Sequence, residues 1–353
     1  MTARARHGND VPLLAALRGS RARIAVLRGT PGIGDLLCTV PSWRALRAAV
    51  PDAHVTLIGQ PWTATLAERL PGYLDDHLPF PGFPGIPDAG HDVHATVVFL
   101  AEAQRRRFDL VLQQHGDGTI TNLIVDLLGA RRSAGFHAGS DRDRGRRWFI
   151  RHPAGLHEIH RHLLLLEHLG APVLGDHLEL PVTAAERRSA AALVPPASRY
   201  AVLHPGAKAA ARRWPAASFA AVGALLRDDG LAVVVTGAEG ERRLARDVAD
   251  AAGGVSVAGS TTIGELAALV DGARLVVTND TGTSHVAAAR RVPSVVVVPP
   301  GHDGSWLPLD RRRHRVVAGE DGPATVEQVV ATAVAVMAVD DRRRRAVDGP
   351  RVA

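Results

Sequence analysis

The segment Arg28-Gly-Thr-Pro-Gly-Ile-Gly-Asp35 presents one carboxylate at the start of a helix, directly after an apolar strand-like run. The N–H groups of a helix start favour a negative charge at this position. Asp35 could therefore act as a general base that takes a proton from an attacking hydroxyl. The alternative is that Asp35 only caps the helix or complements its dipole. Gly32 and Gly34 would leave backbone N–H groups open to an anion.

A second motif, Asn279-Asp-Thr-Gly-Thr-Ser-His285, lies between a predicted strand and a predicted helix. Thr281 and Gly282 would offer N–H groups at the helix start, which suits a phosphate or sugar hydroxyls. Asp280 can accept hydrogen bonds from sugar hydroxyls. His285 lies one turn into the helix, on the side that faces the same loop. The alternative is a capping turn with a satisfied core histidine, but the full Asp-Thr-Gly-x-x-His pattern favours a binding site.

Cations and a further carboxylate follow two earlier predicted strands, at 200–204 and 231–236. Lys208 and Arg212 lie in a loop that contains Gly206, and such a loop suits a diphosphate because arginine offers a planar fork and lysine a point charge. Glu241 follows the next strand and could bind a ribose diol. The alternatives are a solvated basic loop and an acidic first helical turn.

Patterns typical of other enzyme classes are missing. The 17 histidines are scattered, the chain has one cysteine, and neither an H-E-x-x-H helix nor a G-x-x-x-x-G-K-[ST] loop occurs. The spacing of His157, His160 and His162 could bind a metal, but nothing else in the sequence supports it. We therefore expect no metal site.

Strands and helices alternate around these motifs, which predicts an α/β fold with two doubly wound parallel sheets. In the N-terminal half, strands are predicted at 23–28, 53–58 and 109–113, and helices at 35–49, 122–128 and 157–170, with loops at 78–90 and 137–152. In the C-terminal half, strands are predicted at 200–204, 231–236, 255–257, 275–278 and 294–298, and helices at 215–228, 239–252, 263–271 and 282–290.

The chain length of 353 residues predicts two domains, since single cores stop growing near about 300 residues. We expect domains at 21–194 and 197–338, a loosely held extension at 1–20, a linker at Pro195-Pro196 and a disordered charged tail at 339–353. Each domain begins with a strand, a glycine-containing loop and a helix. The two sheets would face each other across a cleft at the carboxyl ends of their strands, where ligands bind in such folds.

The net charge of +6 is concentrated in short arginine runs, which are usually solvated faces. No aromatic residues interleave with them and no nucleic-acid-binding motif occurs, so the composition argues against nucleic acid. An anionic substrate or peripheral contact with an anionic membrane face fits instead. The single Cys38 suits a reducing compartment, and apolar runs fall far short of the roughly 20 residues that span a bilayer. We expect a cytoplasmic monomer.

In their order, these motifs resemble glycosyltransferase family 9, the heptosyltransferases, over about residues 23–300. The anchors of the resemblance are Arg28 with Gly32, Gly34 and Asp35, then Pro41, His204-Pro-Gly, Arg213-Trp-Pro215, Gly237 with Glu241, and Asp280-Thr-Gly-x-x-His285. The resemblance implies the two-Rossmann GT-B architecture. It also implies transfer of heptose, usually from an ADP-activated donor, to a lipid-linked or saccharide acceptor with inversion.

The resemblance implies a role for each anchor. Asp35 would be the catalytic base of an acceptor domain, and no cofactor other than the nucleotide-sugar co-substrate would be needed. The donor site would consist of Arg212, Glu241, Thr261, Asp280, Thr281, Gly282 and His285. The residue types themselves add Lys208 and, in the phosphate loop, Gly206. Thr261 would meet the base through its backbone.

The chain departs from the family pattern at Arg212, at Lys208 and in the segment after the last strand. Arg212 stands where the family has a phosphate-binding lysine. Lys208 stands where a small hydroxyl residue is common, and it could supply that ammonium instead. The segment Val298-Pro-Pro-Gly-His302 replaces the usual Gly-Pro-Thr, so donor identity stays open. Other functions compatible with these motifs are a GT-B-like nucleotide-sugar epimerase or hydrolase, and a non-catalytic nucleotide-sugar-binding protein.

Overall fold

The computed structural model describes residues 11–30, 32–86, 90, 92–139, 146–195, 198–319 and 322–347, with the side chains of 344–347 left aside. It divides into two compact units, Met1–Asp176 and His177–Ala353. The division lies earlier in the chain than the predicted 194–197 boundary, because the helix at Ala184–Ala192 packs against the helix at Ile263–Gly272 of the second unit. Part of the predicted linker, residues 196–197, lies outside the described residues.

The first unit is built on a six-stranded parallel sheet in the order β3-β2-β1-β4-β5-β6. Its strands are β1 (Arg23–Leu27), β2 (His54–Gly59), β3 (Asp76–Pro79), β4 (Leu110–Gln113), β5 (Ser133–His137) and β6 (Phe149–Arg151). Its helices are α1 (Ile33–Leu37), α2 (Val40–Ala49), α3 (Ala64–Arg69), α4 (Val93–Arg105), α5 (Thr121–Leu127) and α6 (Glu158–His168). The central β1 is apolar after its first residue because helices cover parallel sheets on both faces, and Ile24 to Leu27 are fully buried.

The second unit repeats this plan with the strand order β12-β11-β10-β7-β8-β9, again all parallel. Its strands are β7 (Tyr200–His204), β8 (Ala232–Val235), β9 (Val255–Ser256), β10 (Leu275–Asn279), β11 (Ser294–Val298) and β12 (His314–Ala318). Its helices are α7 (Ala184–Ala192), α8 (Ala216–Asp228), α9 (Arg242–Ala252), α10 (Ile263–Gly272), α11 (Gly282–Arg290) and α12 (Val326–Val347). Trp214 and Phe219 meet edge to face in its core, with ring centroids 5.1 Å apart.

The predicted α/β class and the two doubly wound parallel sheets are confirmed, and the predicted limits of α11 and β11 agree with the structure residue for residue. The break between α1 and α2 falls near Pro41, which occupies the first turn of α2 as proline prefers. Several elements escaped prediction, namely β3, β5, β6, β12, α3, α4, α7 and α12. The missed strands have at most five residues and lie towards the sheet edges, where short strands carry little periodic signal.

Three predictions of irregular structure are wrong over the described residues. Residues 11–20 are held in place because Leu13, Leu14 and Leu17 are buried and the Leu14 N–H donates to the Leu169 carbonyl at 3.1 Å. The predicted tail is helical to Val347, and its Asp340 pairs with Arg274 at 3.0 Å. The predicted loop at 137–152 ends in β6, which pairs with β5. Residues 1–10, 140–145 and 348–353 lie outside the described residues.

No described helix is both long and apolar enough to cross a bilayer.

Candidate active site

Both sheets reverse their strand order beside the first strand of the unit, between β1 and β4 and between β7 and β10. In open α/β sheets, ligands bind at such a reversal, beyond the carboxyl ends of the strands. Asp35 follows β1 in the first unit. Gly206 follows β7 and Asp280 follows β10 in the second. The motifs predicted to do chemistry therefore lie at the binding edges of their own sheets.

Asp35 occupies the third position of α1, and Gly32 is the N-cap residue of that helix. The carboxylate is half-buried and folds back against Gly32, where a Cβ atom would collide with Asp35 Oδ2. Over the part of the chain that the structure describes, this carboxylate makes no hydrogen bond or ion pair with another side chain. Gly32 is thus required for space, and the oxygens of Asp35 are available to a ligand.

A buried arginine supports the loop that carries this carboxylate. Arg28 is 3% exposed, and its guanidinium donates to the carbonyl of Asp35 at 3.2 Å and to the carbonyl of Gln114 beyond β4. The same guanidinium pairs with Glu158, at the start of α6, at 2.9 Å. One side chain therefore joins the ends of β1 and β4 to the starts of α1 and α6.

The charge of Arg28 is balanced inside a cluster of ionisable groups. Burial alone would raise the pKa of Glu158, but the hydrogen bond from His162 and the charges of Arg28 and Arg161 outweigh it, so this pKa is lowered and Glu158 is ionised. Burial lowers the pKa of His162 to about 4 and that of His115 to about 4, with Arg28 acting in the same direction on both. Both histidines are therefore neutral at neutral pH, and Glu158 is paired with the two arginines Arg28 and Arg161.

In the second unit, the amide of Asn279 at the end of β10 organises the neighbouring loops. Its Nδ2 donates to the carbonyls of Pro205 and Gly206 at 2.9 and 3.1 Å. Its Oδ1 accepts from the backbone N–H of Trp214 at 2.9 Å. Asn279 is fully buried. The loop after β7 and the segment that carries Arg212 are therefore both tied to the end of β10.

Glu241 lies against the loop after β7. A Cβ atom added at Gly206 would meet the carboxyl carbon and both oxygens of Glu241, and Glu241 Oε2 accepts from the Ala238 N–H at 2.8 Å. The adjacent His204 shares a hydrogen bond with the Thr236 hydroxyl at 3.0 Å. Burial lowers the pKa of His204, while the charge of Glu241 acts in the opposite direction. Glu241 thus contributes its charge to the same edge of the sheet.

Asp280 brings together an arginine and a histidine from separate segments. It is 4% exposed, and its Oδ2 accepts from Arg212 Nη2 at 2.6 Å and lies 2.9 Å from His302 Nε2. Burial lowers the pKa of Arg311, while the charge of Asp280 raises it, so Arg311 lies within electrostatic range of this carboxylate. A pocket of about 250 Å³ opens beside Arg212 and is lined also by Trp214 and Val298.

The remaining predicted donor residues lie along the same carboxyl edge. Lys208 is exposed on the loop after β7, and Thr261 precedes the N-cap of α10. Thr281 is the N-cap of α11 but makes no side-chain cap, Gly282 is the first residue of that helix, and His285 is buried within it. Contacts join Arg212 to Asp280 and Glu241 to Gly206, while Thr261 and Lys208 lie in the loops before α10 and after β7.

Sequence reasoning missed the roles of Asn279, Glu158 and His302. Asn279 carried a usable signal, because it is an amide residue at the end of a strand that is buried throughout. The contacts of Glu158 with Arg28 and of His302 with Asp280 carried none, because each joins two separate elements. Within the described residues, no group of three or more histidine, cysteine or acidic side chains is placed to hold a metal ion.

Two units in one chain, each with the strand order of a Rossmann fold, are the GT-B architecture of glycosyltransferases. The family model described as glycosyltransferase family 9 (heptosyltransferase) matches residues 99–333, more than half of the chain. The chain belongs to this family and is a glycosyltransferase. No curated protein sequence matches it significantly.

Solved structures of this family share the fold at low sequence identity. A family 9 glycosyltransferase from Veillonella parvula DSM 2008 is 20% identical with a TM-score of 0.78, covering 90% of this chain and 97% of its own. The ADP-heptose lipopolysaccharide heptosyltransferase II of E. coli is 20% identical with a TM-score of 0.74, covering 90% and 99%. The E. coli heptosyltransferase WaaC with ADP is 20% identical with a TM-score of 0.68, covering 88% and 97%.

Proposed function

We propose that this enzyme transfers heptose or a related sugar from a nucleotide-activated donor, an ADP-sugar, to a hydroxyl of a saccharide, lipid-linked or small-molecule acceptor, with inversion. The observation that carries the proposal is the half-buried carboxylate of Asp35, which lies at the binding edge of the first sheet with both oxygens available. Membership of the heptosyltransferase family supports the class of sugar.

The donor would bind at the carboxyl edge of the second sheet. Glu241 would accept hydrogen bonds from the ribose diol, and the backbone at Thr261 would meet the base. The diphosphate would be bound by the guanidinium of Arg212, by Lys208 and by the N–H groups at the start of α11. These cations would offset the charge on the leaving diphosphate, so we propose a reaction that needs no metal ion.

The chemistry would be a direct displacement at the anomeric carbon. The acceptor oxygen forms a bond to that carbon as the bond to the diphosphate oxygen breaks, so the configuration inverts. The hydroxyl proton passes to the carboxylate of Asp35, and the electron pair of the broken bond leaves with the nucleoside diphosphate. Because Asp35 faces the acceptor rather than the donor in this scheme, it should matter for turnover and not for donor affinity.

A panel of nucleotide sugars tests the proposal directly. We expect one donor class, an ADP-sugar, to raise the melting temperature, because a ligand at about 100 times its Kd stabilises the folded state by about 2.7 kcal/mol. That donor should be consumed only when an acceptor is added. Consumption without an acceptor would identify an epimerase or hydrolase instead, and binding without any product would identify a non-catalytic protein.

Replacing Gly206 by alanine should weaken donor binding without changing the fold. The new methyl group would occupy the space of the Glu241 carboxyl group and displace it. Loss of one hydrogen bond to a charged group corresponds to roughly a tenfold rise in the KM for the donor. The matched control is Gly240→Ala, beside Glu241, where an added methyl group meets nothing within 4 Å. Equal donor KM values in the two variants would exclude a donor contact by Glu241.

A further inference from the structure

The ring of His302 is held in one tautomer by its two neighbours. The Gly304 N–H points at His302 Nδ1 at 3.0 Å, and a backbone N–H can only donate. Nδ1 must therefore accept, so the ring proton is on Nε2, which faces Asp280 Oδ2 at 2.9 Å. His302 is thus a hydrogen-bond donor to Asp280, with its side chain only 13% exposed.

Asp280 in turn fixes the orientation of Arg212. Arg212 Nη2 donates to the Oδ2 atom of Asp280 at 2.6 Å and to its backbone carbonyl at 2.9 Å, so two acceptors of one residue hold this nitrogen of the guanidinium. The Arg212 side chain is nevertheless 48% exposed. The N–H groups on Nε and Nη1 therefore remain available to an anion, beside the pocket described above.

The carboxylate of Asp280 needs both donors. It is 4% exposed, and a buried carboxylate is costly unless charge and hydrogen bonds compensate it. His302 supplies the second hydrogen bond from the segment after β11 and keeps the carboxylate in the position that Arg212 requires. Without His302, Oδ2 would lose one of its two donors and the carboxylate could rotate, taking the guanidinium with it.

We propose that His302 is a positioning residue of the donor site: through Asp280 it orients Arg212 as the principal diphosphate ligand, so that Arg212, and not Lys208, replaces the lysine of the family. This inference rests on the proposed function and deepens it. Two of the departures from the family pattern, the arginine at 212 and the histidine at 302, are then linked, because His302 holds the carboxylate of Asp280 and that carboxylate holds Arg212.

The test is the binding of ADP, UDP and GDP to the full-length protein, measured by calorimetry on four variants. We expect His302→Ala and Arg212→Ala each to weaken binding of the preferred diphosphate by roughly tenfold, and Lys208→Ala to weaken it less. His302→Gln, which retains a donor near the Nε2 position, should stay within about threefold of the wild type.

A double-mutant cycle separates positioning from a direct contact. If His302 acts through Arg212, His302→Ala should change binding by less than about twofold in an Arg212→Ala background. The control is His54→Ala, which removes an exposed histidine near Asp76 in the first unit and should leave binding unchanged.

Three outcomes would overturn the inference while leaving the proposed function in place. They are wild-type affinity in His302→Ala, additive effects in the double variant, and a larger loss in Lys208→Ala than in Arg212→Ala. A wild-type protein that binds none of the three diphosphates would instead reject the proposed function, and the inference with it. Melting temperatures measured in parallel show whether each variant is folded. If His302→Ala is not folded, the comparison of His302→Gln with the wild type keeps the test decisive.

Discussion

Asp35→Asn is expected to lower kcat by roughly 100- to 10,000-fold, the range over which a positioned general base contributes. Asparagine has the same shape as aspartate but cannot take the proton of the acceptor hydroxyl. The affinity for the donor should stay within about twofold, since in the proposed scheme Asp35 does not touch the donor. Release of nucleoside diphosphate and calorimetric titration with the donor measure the two quantities. A variant that retains at least a third of the wild-type kcat would reject Asp35 as the base.

Gly32→Ala tests the position of the Asp35 carboxylate while leaving the carboxylate itself in place. Gly32 has φ −96°, which alanine adopts readily, so the backbone should tolerate the change. The added methyl group would collide with Asp35 Oδ2 and displace it, and kcat should fall while the melting temperature changes little. Gly72→Ala is the matched control in the same unit, because an added methyl group there meets nothing within 4 Å. Equal kcat values in these two variants would show that the position of the carboxylate is unimportant.

Asn279→Leu is expected to destabilise the second unit by about 3 kcal/mol or more, because each buried polar group left without a partner costs about 1–3 kcal/mol. Leucine fills a similar volume but cannot bond the carbonyls of Pro205 and Gly206 or the N–H of Trp214. For a unit of this size, the loss corresponds to a fall in melting temperature of roughly 6–12 °C. Thermal unfolding monitored by circular dichroism measures it.

Thr278→Val provides the comparison for this variant. Thr278 is the fully buried neighbour of Asn279, and its hydroxyl donates to the Asn279 carbonyl at 2.8 Å. Its loss should cost about 1 kcal/mol, typical of one neutral hydrogen bond. Hydrogen exchange should also speed up in the Gly206 loop of Asn279→Leu and not in Thr278→Val. Equal destabilisation by both substitutions would contradict an organising role for the Asn279 amide.

Much of the fold was predictable because its signals are local. The run Leu275–Val277 is apolar, as in a strand buried on both faces, and the bend at Asp280–Thr281 is followed by a helical stretch. The alternation of such strands with helices predicts parallel sheets without any knowledge of contacts. Two short strands at the sheet edges, β3 and β6, were missed because their pattern is brief and they gain their stability by pairing with a neighbour.

The location of the candidate residues at the edges of the sheets was predictable in the same way. Asp35, Glu241 and Asp280 are recognisable because each lies in the loop or first helical turn that follows a strand, and the carboxyl ends of parallel strands meet at one edge of a sheet. Their immediate partners were not recognisable. Whether Asp280 would bond a sugar, an arginine or a histidine depends on which loops reach it, and nothing within a few residues of Asp280 decides that.

By itself, the amino-acid sequence determined the class of fold, the strand ends at which the candidate site residues lie and the residue types available there. Only the tertiary structure decided which distant side chains bond the candidate residues and the loops that carry them. Arg28 meets Glu158 across 130 residues, and Asn279 meets Gly206 across 73. The physical reason is that periodic burial and helix starts are encoded over a few residues, while a buried hydrogen bond forms only after the sheet has brought distant strand ends together.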